Sequence, residues 1–228
     1  MQWLGRLEYR PAWERQRELA AARAADTVPD TLLLVEHDAV LTLGRHASTA
    51  HVLANQAELV GRGIEVIRVE RGGEVTYHGP GQLVAYPIVK LRDRDILLRP
   101  FVRALELAMC DTAASYGVVA TPRPGYPGCW VDADGSRPRK LGALGLRVER
   151  GVTLHGIALN VTTRLADFAL IDPCGMADLE ITSIGRESGW HGADGEPSTE
   201  AVRVAGERFA AALARRLEAP ATPLAVGA

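Results

Sequence analysis

Thiols and lysines are scarce in this chain of 228 residues, and each scarcity removes a class of explanation. Cysteine occurs only at Cys110, Cys129 and Cys174. An odd, sparse count is no disulfide framework, and no Cys-x-x-Cys pair exists to hold zinc through thiolates. Lysine occurs only at Lys90 and Lys140, so 24 of the 26 basic residues are Arg. Arg keeps its proton near neutral pH, whereas Lys releases it when its surroundings demand. Composition bias accounts for most of such a skew, but the two remaining lysines are the places to look for proton chemistry. No apolar run approaches the roughly 20 residues that cross a bilayer. The first residues, Met1-Gln2-Trp3-Leu4-Gly5-Arg6, lack the apolar stretch of a secretory signal. A cytoplasmic protein without a membrane partner is expected. The net charge of -2 and pI near 6.3 carry no nucleic-acid footprint.

What is present is an ordinary globular composition, 47% hydrophobic and 24% charged. Hydrophobic periodicity predicts strands over Trp3 to Tyr9, Thr31 to Glu36, Val40 to Leu43, Ile64 to Val69, Gln82 to Val89, Cys129 to Val131, Leu144 to Glu149 and Thr153 to Val161. Helices are predicted from Pro11 to Ala25, over Asn55 to Val60, along the face Phe101, Leu105, Ala108, Thr112 and Tyr116, and from Ser198 or Thr199 to Leu217. The irregular alternation points to an α/β (α+β) fold, a single catalytic domain over 1–228 around a mixed sheet. Its core is expected at about 28–217, with a frayed tail over 219–228.

The most distinctive run is Arg71-Gly72-Gly73-Glu74-Val75-Thr76-Tyr77-His78-Gly79-Pro80-Gly81-Gln82. Its four glycines remove side-chain bulk, which suits a loop whose backbone approaches a ligand. The plainer reading is a tight structural turn. The spacing matches neither Gly-x-x-x-x-Gly-Lys-Ser/Thr nor a helix-opening Gly-x-Gly-x-x-Gly. No second ligand stands at helical or strand spacing from His78, so no metal site is expected.

Cys174 sits between Pro173 and Gly175, a tight-turn context that presents a thiol rather than burying it. Cys110, within a helix, and Cys129, within an alternating strand, read as small buried hydrophobes. A nucleophilic thiol needs a nearby base or positive charge, since only a few per cent is ionised at neutral pH. Lys140 and His155 are both candidates. Lys140 equally fits a solvated surface lysine, and His155 a hydrogen-bonded core histidine.

The ordered segments together closely resemble the lipoyl(octanoyl) transferase family over most of the chain. The resemblance rests on Glu36-His37 through Thr42-Leu43-Gly44-Arg45, on Arg71 through Gln82, and on Lys140 through Gly145. His155-Gly156-Ile157-Ala158-Leu159-Asn160-Val161, Pro173-Cys174-Gly175 and Thr182-Ser183 complete it. Departures are Asp38-Ala39 where prolines are common, Gly142 for Ala and Cys129 for Val. The resemblance implies the fold of biotin and lipoate protein ligases. It implies Cys174 as acyl-thioester nucleophile and Lys140 as the group that lowers its pKa. Acyl contacts would come from Arg71, Gly72, Gly73, Glu74, Val75, Thr76, Tyr77, His78, Ala143, Leu144, Gly145, Gly156, Ile157 and Ala158, with His155 accessory. It implies an acyltransferase with octanoyl-acyl carrier protein as donor, which brings its own phosphopantetheine, so that neither ATP nor a metal cofactor is needed. The acceptors would be lipoyl domains of 2-oxoacid dehydrogenases and the glycine-cleavage H protein. Rival expectations are an ATP-dependent lipoate or biotin ligase, a Cys thioesterase, and a non-enzymatic acyl or carrier-protein binding module.

Overall fold

The computed structural model describes residues 1–173, 179–190 and 196–218. Cys174 and the tail over 219–228 lie outside the described residues.

The chain opens with strand β1 (Gln2–Leu7) and helix α1 (Tyr9–Ala24), followed by β2 (Thr31–His37) and β3 (Val40–Leu43). Helix α2 (Gln56–Gly61) is capped by Asn55, whose side chain accepts the Glu58 N–H at 2.9 Å. Strands β4 (Glu65–Arg68), β5 (Val75–His78) and β6 (Gln82–Ile88) precede helix α3 (Leu98–Ala114). The rest runs β7 (Thr121–Arg123), β8 (Tyr126–Val131), β9 (Arg139–Glu149), β10 (Val152–Asn160), β11 (Glu180–Ile181), α4 (Ile184–Ser188) and α5 (Thr199–Glu218).

A mixed 8-stranded sheet has the order β1-β2-β6-β10-β9-β8-β7, with β11 parallel to β9. A 3-stranded sheet, β4-β3-β5, stands beside it. Alternation along the strands of the large sheet decides what each face buries. On one face Leu34, Leu83, Ile157 and Leu159 pack beneath α3 and α5 with Phe101, Leu105, Met109 and Phe209. On the other, Leu33, Val35, Val84, Tyr86 and Leu154 pack against Ala12, Leu19 and Ala20 of α1. Packing therefore extends upstream of residue 28. The small sheet joins the same side, where Tyr9 of α1 meets Val40, Ile67 and Val69. The mixed α/β fold read from the periodicity is the one observed.

Cys110 and Cys129 are buried neighbours between α3 and β8, with sulfurs 3.2 Å apart. Lys90 is buried in an ionic cluster. Its ammonium contacts both carboxylate oxygens of Asp26 at 2.6 Å. Arg23 reaches Asp26, Asp30 and Asp93 in the same cluster. That pairing explains Lys90 as a clamp between the α1–β2 turn and the residues after β6.

Candidate active site

Strand β9 carries the irregularity that builds the site. Cys129 pairs with Gly142 and Trp130 with Lys140, so Leu141 has no opposite number on β8. Such a bulge resets the alternation of side chains. Leu141 and Gly142 both turn toward α3: Leu141 is buried there, and a Cβ on Gly142 would come 2.8 Å from the Met109 sulfur. Lys140 turns the other way, toward the face it shares with Trp130. Its Nζ lies 5.1 Å from the centre of the Trp130 ring, and its side chain lines a cleft on the α1 side of the sheet. Lys140 is 6% exposed.

The glycine-rich segment forms the opposite wall and is held both by backbone hydrogen bonds and by the Arg71 side chain. The Gly72 N–H donates to the Leu146 carbonyl of β9 at 3.1 Å, and the Arg45 N–H to the Arg71 carbonyl at 3.1 Å. These approaches need glycine. A Cβ on Gly44 would sit 1.9 Å from the Gly73 carbonyl oxygen, and one on Gly145 would sit 2.8 Å from the Gly72 carbonyl oxygen. Arg71 is 8% exposed and ties the segment to β3, donating through Nη2 to the Thr42 carbonyl at 2.6 Å and its hydroxyl at 3.0 Å.

The cleft between them is lined by Arg71, Gly73, Glu74, Val75, Thr76 and His78 from the second wall. Lys140, Ala143, Leu144, Gly145, His155, Gly156, Ile157 and Ala158 line it from β9 and β10. The structure thus brings together most residues singled out in the sequence. Two point elsewhere. Tyr77 is 1% exposed; alternation along β5 turns it from the cleft toward Phe168, and its hydroxyl donates to Asp167 at 2.9 Å. Gly72 contributes its backbone to β9 and does not line the cleft. Gly156 owes its lack of a side chain to β6, since a Cβ there would meet the Ala85 carbonyl oxygen at 2.0 Å.

Pro173, the chain neighbour of Cys174, also lines the cleft, as does Ile181. Both flanks of that segment are fastened. Upstream, the Asp172 N–H donates to the His51 carbonyl at 2.8 Å, and the His51 Nδ1 lies 3.2 Å from the Asp172 carboxylate. Downstream, the Thr182 N–H donates to the Lys140 carbonyl at 3.0 Å. A buried chain of hydrogen bonds runs from there across the floor. Asn160 Nδ2 donates to the Thr182 carbonyl at 2.9 Å, and Gln82 Nε2 donates to Asn160 Oδ1 at 2.9 Å. His78 Nδ1 stands 2.8 Å from Gln82 Oε1. That contact makes Nδ1 the protonated nitrogen of His78, because the Gln82 amide orientation is fixed by its bond to Asn160. Burial pushes the His78 pKa well down, keeping the ring neutral. The His78 imidazole is thereby committed to structure, stacked on Tyr9 at 5.8 Å.

Tyr9, Tyr86, Asn160, Phe168 and Ile181 line the cleft without having been singled out in the sequence. Each sits in an apolar or alternating stretch, where nothing separates a cleft residue from a core residue. Among the described residues no group of three His, Cys, Asp or Glu side chains is arranged to hold a metal ion. No described helix is long and apolar enough to cross a membrane.

Comparison with known proteins bears on the same segments. Residues 8–205 match the family model described as the lipoyl protein ligase A/B catalytic domain. An octanoyltransferase of Chloroflexus aurantiacus is 44% identical over 218 residues, covering 95% of this chain and 96% of that protein. One from Alkaliphilus metalliredigens is 46% identical over 182 residues, covering 79% and 81%. Among solved structures, a bi-partite lipoate protein ligase from Thermoplasma acidophilum superposes with TM-score 0.63 at 17% identity, covering 94% of this chain and 82% of that one. A biotin protein ligase from Aquifex aeolicus in complex with biotin and ATP gives TM-score 0.55 at 12% identity, covering 95% and 69%. The structural likenesses show the shared fold, and the sequence matches show the lineage. The chain belongs to the lipoyl protein ligase A/B catalytic domain family, and within it to the octanoyltransferases.

Proposed function

We propose that this enzyme transfers an octanoyl group from octanoyl-acyl carrier protein to a specific lysine of lipoyl domains, through a thioester on Cys174, in the cytoplasm. The acceptors are the lipoyl domains of 2-oxoacid dehydrogenases and the glycine-cleavage H protein. The observation that carries the reading is the placement of Lys140. A bulge turns one of the chain's two lysines into a buried cleft that Pro173, the residue preceding Cys174, also lines.

The chemistry follows from that placement. An ammonium at Lys140 favours the thiolate of Cys174. The thiolate attacks the octanoyl thioester, the carrier's thiolate leaves, and Lys140 gives it a proton. Neutral Lys140 then takes a proton from the acceptor amine as that amine attacks the acyl-enzyme, and the Cys174 thiolate leaves. The first step exchanges one thioester for another and the second makes an amide from a thioester, so the sequence runs downhill without ATP. Apolar side chains lining the cleft, among them Val75, Ala143, Ala158 and Ile181, hold the tail.

The test is a transfer assay with octanoyl-carrier and a lipoyl domain, with ATP and metal omitted. Octanoylation of the acceptor lysine supports the reading. Modification that appears only with free octanoate and ATP assigns the chain to the ligase class instead, and release of octanoate without acceptor modification assigns it to the thioesterases.

A further inference from the structure

We infer that Cys110 and Cys129 are a redox couple, which a peroxide closes into a reversible disulfide that staples α3 to β8. The inference stands apart from the acyl-transfer reading, since neither residue is among those lining the cleft.

The chain has three cysteines, and the fold brings two of them together. The Cys110 and Cys129 sulfurs are 3.2 Å apart and both thiols are free, one on helix α3 and one on strand β8. A disulfide bond is about 2.05 Å long, so closure needs about 1 Å of further approach, a movement of side-chain scale. The elements that carry the sulfurs are already fastened beside them. Gly128, the residue before Cys129, donates its N–H to the Glu106 carboxylate at 3.0 Å, and Glu106 lies one helical turn before Cys110. A single buried thiol in apolar surroundings is inert, whereas two held in contact can react with each other.

Access sets the order of events. Cys129 is 0% exposed and Cys110 is 8% exposed, so an oxidant arriving from solvent meets Cys110 first. The contact with Cys110, together with burial, pushes the Cys129 thiol well above the usual range and keeps it protonated. The Cys110 thiolate attacks one peroxide oxygen. The O–O bond breaks, and the departing hydroxide takes up the proton released by Cys110, leaving a sulfenic acid and one water. The Cys129 sulfur then attacks the Cys110 sulfur. The S–O bond breaks, and hydroxide leaves with the Cys129 proton as a second water. The two sulfurs lose two electrons in all, and the peroxide is reduced to two waters. A thiol reductant reopens the bond through a mixed disulfide. Closure joins residues 110–129 into a loop. A cross-link of that span restricts the unfolded chain, which for a protein of this size is worth about 1 M in urea midpoint.

The experiment treats the full chain carrying Cys174→Ser, in which only the couple remains, with hydrogen peroxide and reads peptide masses and urea denaturation. The expected result is a peptide joined through Cys110 and Cys129 with the loss of two hydrogens. The urea midpoint is expected to rise by about 1 M and to return with dithiothreitol. Cys129→Val in the same background, a substitution of similar volume, is expected to show neither the link nor the rise. Oxygen added at either sulfur without a joined peptide overturns the inference. So does a pair still free at a peroxide dose that fully oxidises free cysteine. A joined form whose midpoint is unchanged or lower, or a rise that persists in Cys129→Val, overturns the staple.

Discussion

Lys140 and Trp130 meet across neighbouring strands, the ammonium nitrogen 5.1 Å from the centre of the indole ring, and a single unopposed residue puts them on one face. Without the bulge at Leu141, strict alternation would turn position 140 toward α3 with Gly142. The ring face attracts a cation at that distance, and the stem of Lys140 is buried among cleft residues.

Replacing Lys140 with Arg keeps the charge and the aromatic contact but removes ready proton exchange. Transfer to a lipoyl domain is expected to fall by roughly 10²-fold or more, the usual worth of a positioned proton donor. Circular dichroism and thermal melting should show the fold intact. Transfer at the wild-type rate would exclude an obligatory proton role for Lys140.

The close backbone approaches predict where a methyl group is costly. Gly156→Ala puts a Cβ 2.0 Å from the Ala85 carbonyl oxygen and should destabilise by about 1–3 kcal/mol or more. Gly61→Ala, in α2 with nothing within 4 Å of its Cβ, should be neutral or mildly stabilising. Urea denaturation of the two variants measures the contrast. Similar midpoints would contradict the packing described here.

Glu36 is buried, and its carboxylate accepts the Gly81 N–H at 2.6 Å, joining β2 to the turn before β6. Gly81 has φ 81° and lies against the Thr162 carbonyl. Glu36→Ala leaves that N–H unpaired and should cost about 1–3 kcal/mol. Glu36→Gln retains an acceptor and should cost less. Equal losses in the two variants would show that the hydrogen bond is not what Glu36 supplies.

Acid sensitivity has a definite sign. Burial lowers the His37 pKa to about 4, against the pull of its bond to the Leu7 carbonyl at 2.8 Å. Burial lowers those of His78 and His155 as well. The unfolded chain therefore binds more protons than the folded one below pH ~6.5, and stability falls as pH drops from there toward 4. His37 alone accounts for a slope of about 1.4 kcal/mol per pH unit between the two values. With three such histidines the slope measured by urea denaturation between pH 6 and 4.5 should be steeper than that. Stability independent of pH across this window would mean that these rings are not buried neutral.

Much of the fold was legible because its strands are long enough to show their period. Strands β2, β6 and β10, and helices α3 and α5, were placed within a few residues by apolar spacing alone. Strand β5 reads as part of a ligand loop, because the glycines around its four residues hide the alternation that sends Tyr77 into the core. Strands β7 and β11 are too short to leave a period. Apolar spacing starts β9 at Leu144 rather than Arg139, because the bulge breaks the alternation on which strand prediction depends.

The candidate site was legible as segments but not as geometry. Scarcity alone singles out Lys140 and Lys90 equally; the resemblance points to Lys140, and tertiary structure puts it in the cleft while Lys90 is clamped by Asp26. The glycines at 145 and 156, acyl contacts by the resemblance, do line the cleft, and their lack of a side chain also lets Gly72 and Ala85 approach. That purpose is invisible until strand neighbours are known.

The most direct measurement is the intact mass of the protein after incubation with octanoyl-carrier alone. One added octanoyl group, removable by neutral hydroxylamine and lost in Cys174→Ser, is the predicted result. An unchanged wild-type mass, or a hydroxylamine-sensitive adduct that persists in Cys174→Ser, would contradict it.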